Sequence, residues 1–165
     1  MDLRRRLALG GLTGISLPAA GVRDRFLGVW TLISCERKLA DGSVIYPYGT
    51  RPIGRITYDK AGRMSAQLMK PGRKSSVAPG LNPVAGSAPA DEIREALGGY
   101  AAYFGTFDVD DKAQVVIHHV HAALAPNWVG TDLRRAYRFI GNRRLSLTAA
   151  QAGSVTELIW EREAD

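Results

Sequence analysis

One cysteine, Cys35, stands in the 165 residues, so no disulfide can form within the chain. A lone thiol is compatible with reducing and oxidising compartments alike. No apolar run reaches the roughly 20 residues that a membrane-spanning helix needs. Ser65 and Ser146 lack the G-x-S-x-G setting of a hydrolase nucleophile, and neither a C-x-x-C pair nor a glycine-rich phosphate loop is present. Those absences set aside serine hydrolases, dithiol redox proteins and nucleotide-phosphate binders of the common kinds. Basic clustering is missing too. The net charge is +6, but half of it comes from residues 1–25, where Arg4, Arg5, Arg6, Arg23 and Arg25 face only Asp2 and Asp24. Elsewhere the basic pairs Arg37-Lys38, Arg73-Lys74, Arg134-Arg135 and Arg143-Arg144 are spread along the chain. Scattered pairs read as solvated strand edges and turns, and nucleic-acid binding needs charge gathered on one face.

What remains is a globular balance, 45% apolar and 23% charged. A chain of this length suits one domain and can bury a core without a covalent staple. Residues 1–21 stand apart from the rest. Arg4-Arg5-Arg6 forms a positive zone, residues 7–20 a short apolar zone softened by Gly10, Gly11 and Gly14, and Ala19-Ala20-Gly21 a set of small residues. This is the layout of an export signal, and its paired arginines resemble those of a twin-arginine signal. Leu3 and Leu7 stand where that signal usually has a hydroxyl residue and a phenylalanine. The expectation is an exported, periplasmic protein, cut after Gly21 to leave a domain of residues 22–165; a cytoplasmic chain is the alternative.

From residue 26 onward, short β-rich stretches alternate with turn signals. Strands are expected at 29–37, 44–46, 54–59, 63–69, 100–109, 114–122, 133–140, 145–149 and 155–162. Asp41-Gly42, Lys60-Ala61-Gly62, Asp110-Asp111 and Gly141-Asn142 mark the turns between them. Residues 70–88, rich in Pro, Gly, Ser and Ala, read as one long loop. Pro89-Ala90-Asp91-Glu92 opens the one convincing helix, with Ser87 as a candidate cap; Ile93, Ala96 and Leu97 form its apolar stripe and Gly98-Gly99 stops it. The fold class is therefore all-β with one short helix. Sequential strands joined by short turns predict a closed antiparallel up-and-down barrel of about eight strands, which leaves no open sheet edge. Such a barrel has room for packed side chains or one small ligand.

Gly28-Val29-Trp30 at the start of the first strand resembles the G-x-W signature of lipocalins. Gly54-Arg55-Ile56-Thr57-Tyr58, the stretch from Gly62 to Met69, Tyr103-Phe104-Gly105-Thr106-Phe107, His118-His119-Val120 and Pro126-Asn127-Trp128-Val129-Gly130-Thr131 follow in order. Together they resemble a family of bacterial and fungal lipocalin-like domains, most without an assigned activity, and the resemblance covers about residues 26–162. It implies that Trp30 closes one barrel end with an arginine of the last strand, Arg162, over its ring.

All three histidines fall within four positions, His118, His119 and His121. On a strand His119 and His121 share one face and His118 takes the other. The i, i+2 pair admits a metal site, a ligand contact or a structural role, and no Cys, Asp or Glu nearby in sequence completes a metal set. Tyr100, Tyr103, Phe104, Phe107, Trp128 and Tyr137 are an aromatic reserve for a core or a pocket. Gln67 lies opposite Met64, Ala66 and Leu68, and lines the interior if those three face outward or under the helix. The expected ligand contacts are thus Gln67, Tyr103, His119, His121, Trp128 and Tyr137, with neither metal nor cofactor implied. The leading expectation is a barrel that binds a small, largely apolar molecule. One alternative is a cofactor-free isomerase, cyclase or dehydratase using Tyr103 and His119 as acid and base; another is a structural or partner-binding barrel with a filled interior.

Overall fold

The computed structural model describes residues 21–76 and 88–164. The expected export signal up to residue 20, residues 77–87 of the expected long loop and the candidate cap Ser87 lie outside the described residues.

The described chain contains nine strands: β1 (Gly28–Leu39), β2 (Val44–Ile45), β3 (Ile53–Tyr58), β4 (Arg63–Met69), β5 (Tyr100–Asp110), β6 (Val115–Ala123), β7 (Asp132–Ile140), β8 (Arg144–Gln151) and β9 (Ser154–Arg162), with one helix, α1 (Ala90–Gly98), between β4 and β5. Strands β3 to β9 each pair antiparallel with the next. β1 closes the barrel by pairing with β3 through Gly28–Thr31 and with β9 from Trp30 to Leu39. The two-residue β2 is extra, hairpinned onto the end of β1. Eight strands close and the ninth decorates the rim. The expected fold class holds.

Period-two alternation decides what faces in. Met64, Ala66 and Leu68 of β4, Ala101, Tyr103 and Phe107 of β5, and Val116, His118 and Val120 of β6 are all buried. This corrects the expectation for Gln67, which is exposed on the outer face. The expectation needed a helix to cover the Met64 face from outside. α1 buries none of its residues, so the apolar face has nowhere to go but inward. Leu97, expected in the helix stripe, is itself exposed.

At Gly105 the β5–β6 register shifts, and a Cβ there would lie 1.9 Å from the carbonyl oxygen of His119. Only glycine lets the two backbones pass so closely.

Because strands alternate in direction, the barrel has two distinct ends. At one, a 3-10 turn (Val22–Arg25) delivers Phe26 into the opening. Phe26 packs edge-on against Tyr58, Tyr137 and Phe139, at ring-centroid distances of 5.5, 5.0 and 5.0 Å. Trp30 is fully buried beside it and donates its indole N–H to the Phe26 carbonyl at 2.7 Å. The Arg162 guanidinium sits 4.1 Å over the Trp30 ring and donates to the carbonyls of Leu27 and Arg25. Gly28 has φ +117°, and a Cβ there would stand 3.0 Å from the Arg162 side chain. The Gly-x-Trp spacing is thereby explained: the glycine makes room for the arginine that covers the tryptophan.

Candidate functional site

The opposite end is hollow. It is ringed by the β1–β2 hairpin, the loop before β3, α1, the 3-10 turn Pro126–Trp128 and the β8–β9 turn. Inside it lies a cavity of about 120 Å³. Tyr48, Tyr103, Trp128 and Trp160 form aromatic walls, and Ile56, Leu68, Leu147 and Leu158 aliphatic ones. Cys35, Arg37, His118, Arg135, Gln151 and Thr156 supply the polar lining. A second space of about 370 Å³ lies next to it at the mouth, against Leu97, Gly98 and Leu124, and shares Tyr48, Ala101 and Trp128 with the inner one. Those shared side chains are the partition between mouth and interior.

His118 occupies the centre of the polar lining. Its side chain is fully buried, with Nε2 2.8 Å from the Tyr58 hydroxyl and Nδ1 3.0 Å from the Tyr103 hydroxyl. Burial, assisted by the positive charge of Arg135 and then His119, pushes the imidazole down to about 3, so it is neutral in the folded protein. Burial also pushes the Tyr103 phenol up to about 12, against the opposing pull of Arg135, and holds Tyr58 well above its usual range. The Cys35 thiol is pushed up to about 11 by burial and is therefore not a ready nucleophile. Trp160 is 1% exposed, and its indole N–H finds no acceptor among the described residues. A buried donor left unpaired costs about 1–3 kcal/mol.

Of the expected contacts, the structure brings Tyr103 and Trp128 to the cavity, their rings edge to face at 5.6 Å. It corrects three others besides Gln67. His119 and His121 point out of the barrel and His118 points in, the reverse of the expectation. The face that His119 shares with Val115 and Ile117 is the outer wall, and Val116, His118 and Val120 make the inner one. Outside, His119 is bridged by Asp132 on Nδ1 at 2.7 Å and by Asp108 on Nε2 at 3.1 Å. These carboxylates come from neighbouring strands, which is why sequence proximity did not reveal them. Tyr137 faces inward but belongs to the plugged end, where its hydroxyl donates to Asp111 at 2.9 Å.

Arg37, Arg135 and Trp160 went unnoticed as lining residues. For the arginines a signal existed. Adjacent residues on a strand point to opposite faces, so a basic pair inside a strand sends one member inward. Arg37-Lys38 and Arg134-Arg135 do so, with Lys38 and Arg134 exposed.

A closed up-and-down barrel with one end plugged by aromatics and the other opening on a polar-patched cavity is a binding cup of the lipocalin class. The family model of the lipocalin-like domain matches residues 27–163, and the chain belongs to that family. A curated relative, the 4'-hydroxy-3'-methoxypropiophenone carrier protein ppsC of Aspergillus oryzae, is 35% identical over 85 residues, which is 48% of this chain and 73% of that protein. Among solved structures, a redesigned β-barrel aligns over 86% of this chain and 95% of its own at 8% identity, with TM-score 0.43. A biogenic amine-binding protein aligns over 85% of this chain and 65% of its own at 12% identity, with TM-score 0.39.

Proposed function

We propose that this barrel binds a small, largely apolar molecule with one aromatic ring in its open end. The observation that carries the reading is the open-end cavity itself, walled by the rings of Tyr48, Tyr103, Trp128 and Trp160 with a few polar groups among them. The inner volume of about 120 Å³ is below the usual range for drug-sized ligands, roughly 300–1,000 Å³, and suits a single ring. An engineered cavity of about 150 Å³ takes up benzene. The carrier named for an aryl ketone supports a ligand of this chemistry. The cavity also speaks against the filled-barrel alternative.

Acid–base catalysis fits less well. A general acid or base works best with a pKa near the working pH. The shifts of His118 and Tyr103 run away from neutrality in both directions, and both imidazole nitrogens are engaged by tyrosines. His119, the other acid–base candidate, lies outside the barrel. Titration of the protein with propiophenone, followed by tryptophan fluorescence, tests the binding reading. Saturable quenching that weakens at least fivefold in Trp128→Ala is expected. No saturable change would remove it.

We propose in addition that residues 1–21 direct export. A cut after Gly21 would leave the Val22–Arg25 turn and Phe26 in place to plug the barrel. Fractionation of a tagged chain should show a form about two kilodaltons shorter outside the cytoplasm, lost in Arg4→Lys with Arg5→Lys. A full-length cytoplasmic species in both would end this proposal.

A further inference from the structure

The polar lining of the open-end cavity is one-sided. Arg37 and Arg135 both line it, and among the described residues no carboxylate does. Among the described residues neither arginine forms an ion pair. Arg37 donates through Nε to the Thr156 hydroxyl at 3.0 Å, and Arg135 donates to the Arg134 carbonyl at 3.1 Å. The field of Arg135 falls on Tyr58, Tyr103 and His118, that of Arg37 on Cys35 and Tyr48.

The tyrosine–histidine chain contributes another donor. A neutral imidazole has one N–H and one bare nitrogen. Tyr58 is buried away from the cavity lining, and its one hydrogen-bond partner among the described residues is His118 Nε2. If Nε2 carried the proton, the Tyr58 hydroxyl hydrogen would be left in the core with no acceptor. The satisfied arrangement has Tyr58 donating to Nε2 and Nδ1–H donating to the Tyr103 oxygen. Tyr103 then keeps its own hydrogen, and the cavity that it lines is where that hydrogen can be used. Thr156 accepts from Arg37 and keeps its own O–H to donate.

Resting on the aromatic-ligand reading above, we infer that the cavity selects its ligand as an aromatic oxyanion, a carboxylate or an ionised phenol, over the neutral isostere. The ring lies among Tyr103, Trp128 and Trp160, and the charged oxygen takes its hydrogen bonds from the donor set led by Arg37 and Arg135. An oxyanion accepts several bonds and donates none, which is the complement of this lining, and charge-assisted bonds are about twice as strong as neutral ones.

Benzoate and benzamide have nearly the same shape and differ in charge. Their affinities for the wild-type protein at pH 7, from tryptophan fluorescence and calorimetry, should differ at least tenfold in favour of benzoate. Raising salt should weaken benzoate alone. Arg135→Met and Arg37→Met, which keep an apolar stem, should each lower benzoate affinity about tenfold and leave benzamide within twofold. The wild-type comparison and its salt dependence stand even if a variant fails to fold. Benzamide binding as well as or better than benzoate would overturn the oxyanion inference and leave the ring-binding reading intact. Failure of both probes to bind would overturn the oxyanion inference, and the propiophenone titration then decides the ring-binding reading.

Discussion

The plugged end and the hollow end of this barrel are made from the same strands, and both are rich in aromatic rings. At the plugged end Phe26, Tyr58, Phe107, Tyr137 and Phe139 meet edge to face, and Arg23, Arg25 and Arg162 lie 4.8, 4.0 and 4.1 Å over the rings of Phe107, Phe139 and Trp30. At the hollow end Tyr103, Trp128 and Trp160 stand around open volume; Arg73 covers Tyr100 at the rim at 5.1 Å, while Arg37 and Arg135 lie along the cavity. The difference comes from one segment. Residues before β1 fold across one opening and insert Phe26. The other opening is ringed by turns, a half-exposed helix and a 3-10 turn, whose Tyr48 and Trp128 stand in the cavity wall and leave volume between them and the core. Packing and vacancy are thus separated along the barrel axis, and under the proposed function stability is concentrated in one half and recognition in the other.

The sharpest way to break this division is to truncate one tryptophan at each end. Trp30→Ala removes a fully buried ring, the acceptor surface for Arg162 and a hydrogen bond, and should destabilise the fold by about 3–5 kcal/mol. Trp128→Ala, at a half-buried position on the rim, should cost about 1 kcal/mol or less while weakening ligand binding. Urea unfolding of both variants measures this. Similar losses would mean that the hollow end is as much a part of the core as the plugged one.

The sequence made the plugged end legible and left the hollow end mostly hidden, for a physical reason. Turns and period-two strands are local signals, so β5, β7 and β9 fall within a residue or two of expectation. Gly28, Trp30 and Arg162 were readable through resemblance to a known signature. Which face of a strand points inward depends on what covers the outside, and that is a tertiary fact. For β4 the expectation rested on helix cover that α1 does not give, and Gln67 was misplaced. For β6 the inward face carries one histidine and the outward face two, and the count misled. The unpaired N–H of Trp160 becomes visible only when all its surroundings are known.

Inside the barrel, the next effect concerns Tyr58 and His118. Tyr58→Phe leaves His118 Nε2 without its partner in the core and should cost about 1–3 kcal/mol, read by the same unfolding assay. His118 itself ties stability to acid. Its folded pKa, about 3, lies below the unfolded value of about 6.5, so the unfolded chain binds the extra proton. Its contribution is fully present above pH 6.5 and is lost as pH falls from there towards 3. His118→Gln, which cannot titrate, should flatten that part of the stability profile. An unchanged acid limb would show that other groups govern it.

His119 gives the smallest effect and the opposite sign. Its hydrogen bond to Asp132, then that to Asp108, raises its pKa against the opposing effect of desolvation. The contribution is therefore present below the unfolded pKa and disappears as pH rises through the folded one. The bridge ties β6 to β5 and β7 from outside, where solvent and salt screen it, so it should be worth no more than about 1 kcal/mol. NMR titration of the imidazole protons should show His119 above 6.5 and His118 not titrating down to pH 4. His119→Ala and His121→Ala should leave ligand affinity within twofold, because both side chains lie on the far side of the barrel wall from the cavity. His118→Ala should change it more, by freeing the Tyr103 hydroxyl from its present partner. If His119→Ala proved as damaging to binding as His118→Ala, recognition would extend through the wall to the outer face. The separation of function would then be between two faces of one strand as well as between two ends of one barrel.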